Sequence, residues 1–127
     1  MTDEETSVEN PPVLDAAHVA DLIGLDQGRG ALFKRFVELF VSGTAEKIAR
    51  LYEHARTSNV TALADAAHSL RGASGNVGAV RLAGLFERIE VAAKGGDIGA
   101  ATALIASLES EYAVTRVALV AASTVES

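Results

Sequence analysis

The sequence predicts an all-α protein, an antiparallel four-helix bundle with a short additional N-terminal helix. Three observations predict it. Apolar residues recur at three- and four-residue steps through most of the chain, no segment sustains the period-two alternation of a half-buried strand, and the apolar set is rich in Ala, Leu and Val. Apolar residues make up 49% of the sequence but aromatic residues only 5%, a balance that suits closely packed helices better than a sheet. At 127 residues there is room for one core and little else.

Residues 1–12, MTDEETSVENPP, combine acidic charge, few apolar side chains and a Pro-Pro end, and read as a disordered acidic tail. The bundle is expected over 13–122, with 123–127 as a C-terminal tail. Asp15 is a suitable N-cap for a first short helix over AAHVADLI, and Gly24 a suitable stop. In the second helix, from Gly30 to Arg56, Phe33, Phe36, Val37, Phe40, Thr44, Ile48, Leu51 and Ala55 form one stripe. Leu32 and Leu39 widen its first half and are expected to receive the first helix. Ser58 or Asn59 can cap the third, whose inner side carries Leu63, Ala67, Leu70, Ser74 and Val77 and which ends near Asn76 to Gly78. The fourth, from Ala79 to Lys94, turns Leu82, Leu85, Phe86 and Ile89 inward and stops at Gly95-Gly96. Asp97 caps a continuous fifth helix with Ala101, Leu104, Leu108, Tyr112, Thr115 and Leu119 inward.

The composition excludes several functions. No cysteine is present, so disulfides and thiol chemistry are absent, which suits a cytoplasmic location. No apolar run approaches the roughly 20 residues that span a bilayer, so no membrane association is expected. A net charge of −6 with scattered Lys and Arg argues against nucleic acid.

The third helix departs from a stability-optimised pattern at one place. On a helical wheel with Leu63 at zero, His68 falls at roughly 140°, outside the apolar stripe and toward solvent. Along the same face stand Ala64, Gly72 and Gly75, a strip of small residues on either side of the imidazole. Glycine inside a helix costs roughly 0.5–1 kcal/mol relative to alanine, so this strip makes sense as a clear approach for another protein's surface. Arg71, three residues on, lies beside His68 with a guanidinium suited to phosphoryl oxygens.

Residues 68–90, HSLRGASGNVGAVRLAGLFERIE, resemble the signature of the histidine-containing phosphotransfer (HPt) domain family, AHxLKGxSxxxGAxxLxxLxxxLE. Ala67, His68, Leu70, Gly72, Ser74, Gly78, Ala79, Leu82, Leu85 and Glu90 match, and the likeness runs from about residue 15 to 120. The resemblance implies phosphorylation of His68 at Nε2. It also implies that Glu90 orients the ring through Nδ1–H and that Arg71 stabilises phosphoryl charge where the family usually has Lys. Its implied partners are receiver domains of a hybrid histidine kinase or a response regulator. Mg²⁺ would be supplied by the receiver, and no cofactor is expected in this chain. A monomer is the family's default state. The chain has no glycine-rich nucleotide loop and no kinase motif, so it is expected to carry phosphoryl groups rather than act as an enzyme on ATP.

Two other readings remain open at this point. One is a helical interaction module whose histidine has no chemistry. The other is a metal-binding bundle using the Asp15, His18 and Asp65, His68 pairs, which fits poorly because His68 points outward and Asp15 reads as a cap.

Overall fold

The computed structural model describes residues 11–124, in which six helices and no strand are found. They are α1 (Ala16–Gly24), α2 (Ala31–Arg56), α3 (Val60–Asn76), α4 (Val80–Lys94), α5 (Ile98–Ile105) and α6 (Leu108–Ser123). Each of α2, α3 and α4 packs on the next, and α5 with α6 closes the bundle against both α4 and α2. The acidic segment expected at the N-terminus lies, except for Pro11 and Pro12, outside the described residues, as do the last three residues. Pro11 is already joined to the bundle, because its carbonyl accepts from Arg81 Nη1 at 3.3 Å.

Local chemistry explains the starts of three helices. The Asp15 carboxylate accepts from His18 N, the Asn59 side chain from Ala62 N and the Asp97 carboxylate from Ala100 N, each satisfying a first-turn amide. At α2 the cap comes from further away. Gly30 stands at φ +78° without a side chain to offer, and Asp26 reaches over it to accept from the amides of Gly30 and Leu32.

The stripes point inward as their spacing requires. Phe33, Val37, Phe40, Thr44, Ile48, Leu51 and Ala55 of α2 are buried, as are Leu63, Ala67, Leu70 and Ser74 of α3 with Val77 beyond it. Leu82, Phe86 and Ile89 of α4 complete the centre, with Phe36 and Leu85 half-buried at its edge. Three hydroxyls sit among these apolar groups. Thr44, Ser74 and Thr115 each donate to the carbonyl four residues before, on Phe40, Leu70 and Glu111, so none is buried unpaired.

Two expectations are corrected. The fifth helix is not continuous: it breaks at Ala106-Ser107 into α5 and α6. Ala101, Leu108, Thr115 and Leu119 are buried as expected, whereas Leu104 and Tyr112 are half-buried and Ile105 takes the inner position beside Leu104. The cause of the break is tertiary. The Ile105 carbonyl accepts from Tyr52 Oη of α2 at 3.1 Å, and a tighter turn forms in which Ser107 N donates to Leu104 O. The second correction concerns α1, which does not cover Leu32 and Leu39. Both stay exposed, Leu39 by 55%.

α1 packs on α2 without reaching those two leucines, and its start is held at the turn between α3 and α4. Asp15 N donates to Gly78 O at 2.8 Å, His18 Nε2 donates to Asn76 O at 3.0 Å, and Val19 lies against the Gly78 backbone. Gly78 adopts φ +85°, and a Cβ there would stand 2.8 Å from Val19 Cγ2. Gly78→Ala is therefore expected to destabilise the fold by at least about 1–2 kcal/mol from the left-handed backbone alone. By contrast, Gly43→Ala, where the added Cβ meets nothing within 4 Å inside α2, is expected to stabilise by about 0.5–1 kcal/mol. Urea unfolding of the two variants beside the parent checks the sign of each.

Candidate functional site

The site lies between α3 and α4, whose packing brings residues 22 apart in sequence into contact. The His68 side chain is 61% exposed, and that of Glu90, facing it from α4, is 6% exposed. Glu90 Oε2 stands 3.0 Å from His68 Nδ1 and 2.9 Å from Lys94 Nζ, and Glu90 Oε1 is 3.5 Å from Arg71 Nε. One buried carboxylate thus faces three nitrogen groups from two helices.

The Lys94 ammonium holds the Glu90 carboxyl below its ordinary range. Burial opposes this by raising it, and the bond from His68 adds to the lowering. Glu90 is consequently an ionised carboxylate, able only to accept, so the His68 nitrogen facing it must be Nδ1–H. This decides between two contacts that cannot both be hydrogen bonds. Arg71 Nη2 also lies 3.0 Å from His68 Nδ1, but a nitrogen already carrying a proton offers it no lone pair. Arg71 is held there by the Glu90 charge. The remaining ring nitrogen, Nε2, has no hydrogen-bond partner among the described residues and keeps its lone pair toward solvent.

The predicted small-residue strip is only partly on the surface. Gly72 and Gly75 are exposed, and a Cβ at either would meet nothing within 4 Å, so nothing in this chain's own packing requires glycine there. Ala64 does not belong to the strip. It is buried in the core, because α3 is flanked by both α2 and α4 and the covered arc extends past Leu63 to its neighbour. Ser74 is fully buried and bonded within α3, which makes it a packing residue.

Lys94 was not singled out by sequence. The available signal was its position four residues after Glu90, the spacing at which a Glu and a following Lys pair along a helix. On the other flank of α3, an apolar groove of about 600 Å³ lies among α1, α2 and α3, lined by Leu22, Leu25, Phe36, Leu39, Ala73 and Asn76 among others. It exists because α1 leaves Leu39 uncovered. Asp15 and His18 are engaged in capping α1 and in the bond to Asn76, so they do not form the paired ligands that a metal-binding bundle would need.

The Hpt domain family profile matches residues 35–118, more than half of the chain and the whole of the His68 and Glu90 region. The chain belongs to the Hpt domain family. Its structure is similar to the crystal structure of histidine-containing phosphotransfer protein B (HptB) from Pseudomonas aeruginosa PAO1. The TM-score is 0.75 and the identity 31%, with 87% of this chain and 93% of that one covered. No curated protein matches the sequence. Within this Hpt domain no described helix is long and apolar enough to cross a membrane.

The lowered Glu90 carboxyl has a consequence for stability. A group whose folded pKa is depressed contributes fully above its unfolded value, about 4.3 for Glu, and loses that contribution as pH falls through the folded value. Glu90→Gln is therefore expected to be less stable than the parent near pH 6, with the gap narrowing as the pH is lowered past 4. Denaturant titrations at the two ends of this range check it, and a gap that does not change with pH would contradict the ionic pairing.

Proposed function

We propose that this Hpt domain accepts a phosphoryl group on His68 Nε2 from the aspartyl phosphate of one receiver domain and returns it to the aspartate of another. The observation that carries the reading is the state of the His68 ring. It is exposed, its Nδ1–H is bound to a buried carboxylate, and its Nε2 lone pair is free. Phosphoryl transfer depends chiefly on positioning and charge stabilisation, and a fixed tautomer with an open nucleophilic nitrogen meets the carrier's part of that requirement.

In the forward step the Nε2 lone pair attacks phosphorus, the N–P bond forms as the bond to the receiver's carboxylate oxygen breaks, and the ring becomes a cation bearing Nδ1–H. Glu90 stabilises that cation through the bond it already makes. Arg71, 37% exposed at its side chain and now drawn to Glu90 Oε1, turns to the phosphoryl oxygens once they arrive. Mg²⁺ belongs to the receiver's acidic pocket. The chain supplies no ATP site and depends on its partners in both directions.

Gly72 and Gly75 let the receiver's surface come within bonding distance of Nε2, and the apolar groove beside α1 extends the contact area. The partners are receiver domains of a hybrid histidine kinase or of a response regulator, and the chain works as a monomer in the cytoplasm.

Incubation with a phosphorylated receiver domain is expected to place an acid-labile, base-stable label on the parent and none on His68→Gln. A folded parent that stays unlabelled across a panel of receivers would leave an interaction module without histidine chemistry. The glycine strip makes a separate prediction, in which stability and transfer move in opposite directions. Gly72→Ala is expected to stabilise the isolated protein by about 0.5–1 kcal/mol. Gly72→Leu, which also fits the free helix, is expected to keep the fold and slow receiver transfer by at least about tenfold, since 1.4 kcal/mol of lost contact suffices for that.

A further inference from the structure

Glu90 presents a problem that His68 and Arg71 do not solve. Its carboxylate is 6% exposed, and it faces a ring whose modification brings one further unit of negative charge to the site. On phosphorylation Arg71 is drawn away toward the phosphoryl oxygens, leaving Glu90 with the ring alone on that side. The phosphorylated ring is itself a cation, but it carries the phosphoryl group with it, and two anionic groups joined through one imidazole repel each other. The structure holds one more cation in contact with this carboxylate. Lys94 Nζ lies 2.9 Å from the same Oε2 that accepts from His68, and it comes from the last turn of α4, four residues after Glu90. Its side chain is 64% exposed, so it joins the site from the solvent edge and makes no part of the core.

Resting on the phosphotransfer reading, we propose that Lys94 is a positioning residue for it. Lys94 holds Glu90 Oε2 against His68 Nδ1 and balances the carboxylate charge, so that Glu90 can orient the ring without opposing the incoming phosphoryl group. Lys94 touches neither the phosphoryl group nor the nucleophilic nitrogen. It acts through Glu90, and its effect must therefore vanish when Glu90 is neutral. Gln in place of Glu90 would still accept from Nδ1–H through its amide oxygen while needing no countercharge.

The test uses phosphoramidate as donor, which removes receiver docking from the measurement. In this reaction the bond from phosphorus to nitrogen in the reagent breaks as the bond to Nε2 forms. Ammonia leaves with the protons it already carries, and the ring keeps its Nδ1–H. The full chain is compared as parent, Lys94→Met, Lys94→Arg, Glu90→Gln and the Glu90→Gln, Lys94→Met double variant. Arg88→Gln on α4 controls for general loss of positive charge, and circular dichroism confirms that each variant is folded.

Lys94→Met is expected to lower the rate and final level of His68 labelling by about three- to fivefold, the upper part of the range for a near-surface charge pair after screening. Lys94→Arg is expected to restore it. The double variant is expected to fall within about twofold of Glu90→Gln alone, because the coupling between the two positions is removed. Labelling unchanged in Lys94→Met, or a double variant as impaired relative to Glu90→Gln as Lys94→Met is relative to the parent, would overturn the role. A parent that takes no label on His68 would instead overturn the phosphotransfer reading, and the role of Lys94 with it.

Discussion

A carboxylate that is 6% exposed keeps its charge only in the company of cations and donors, and the arrangement around Glu90 is the constraint on which the site depends. Its two oxygens face His68, Lys94 and Arg71. The lysine keeps the carboxyl ionised, an ionised carboxyl can only accept, and so the proton of the neutral ring sits on Nδ1. From that single assignment follow the free Nε2 and the reading of the Arg71 contact as ion pairing with Glu90 rather than a hydrogen bond to the ring. Among the described residues no other group commits the imidazole to one tautomer.

The bundle exists around this pair in a physically specific way. α3 and α4 are joined by a turn whose Gly78 takes a left-handed conformation and is approached by Val19 too closely for any side chain. The packing of the two helices that this turn joins brings His68 and Glu90 within 3.0 Å. The short α1 packs on α2 and is fastened to the same turn by Asp15 and His18. Its position leaves Leu39 in the open and creates the groove beside α3. The structural tie at one end of α3 thus shapes the apolar surface on the flank of α3 away from Glu90.

Much of this was legible in advance. The apolar stripes of α2, α3 and α4 named their buried residues, and Asp15, Asn59 and Asp97 named the starts of three helices, since capping and amphipathicity are local properties of a helical chain. His68, Gly72 and Gly75 could be placed on the outer face by angle alone, and the pairing of His68 with Glu90 was implied by resemblance to the family. The misreadings have a common origin. A wheel drawn for one helix places Ala64 at the surface because it does not show how wide an arc two neighbouring helices cover, and the residue is buried. The break at Ala106-Ser107 depends on a hydroxyl of Tyr52 from another helix, and the cap of α2 on Asp26, which lies outside any standard cap position.

The sequence by itself determined the helical class, the order and most boundaries of the elements, the exposure of His68 and the family. Each of these is written in spacing of three or four residues or in a contiguous motif. Tertiary structure alone decided the electrostatics of the site. That Lys94 and Arg71 share Glu90 with His68, and that the carboxylate is buried enough to make their charges matter, depends on the packing of α3 against α4. The physical reason is that charge interactions are set by distance and dielectric in three dimensions, and neither can be read from the identity of a residue or its place along the chain.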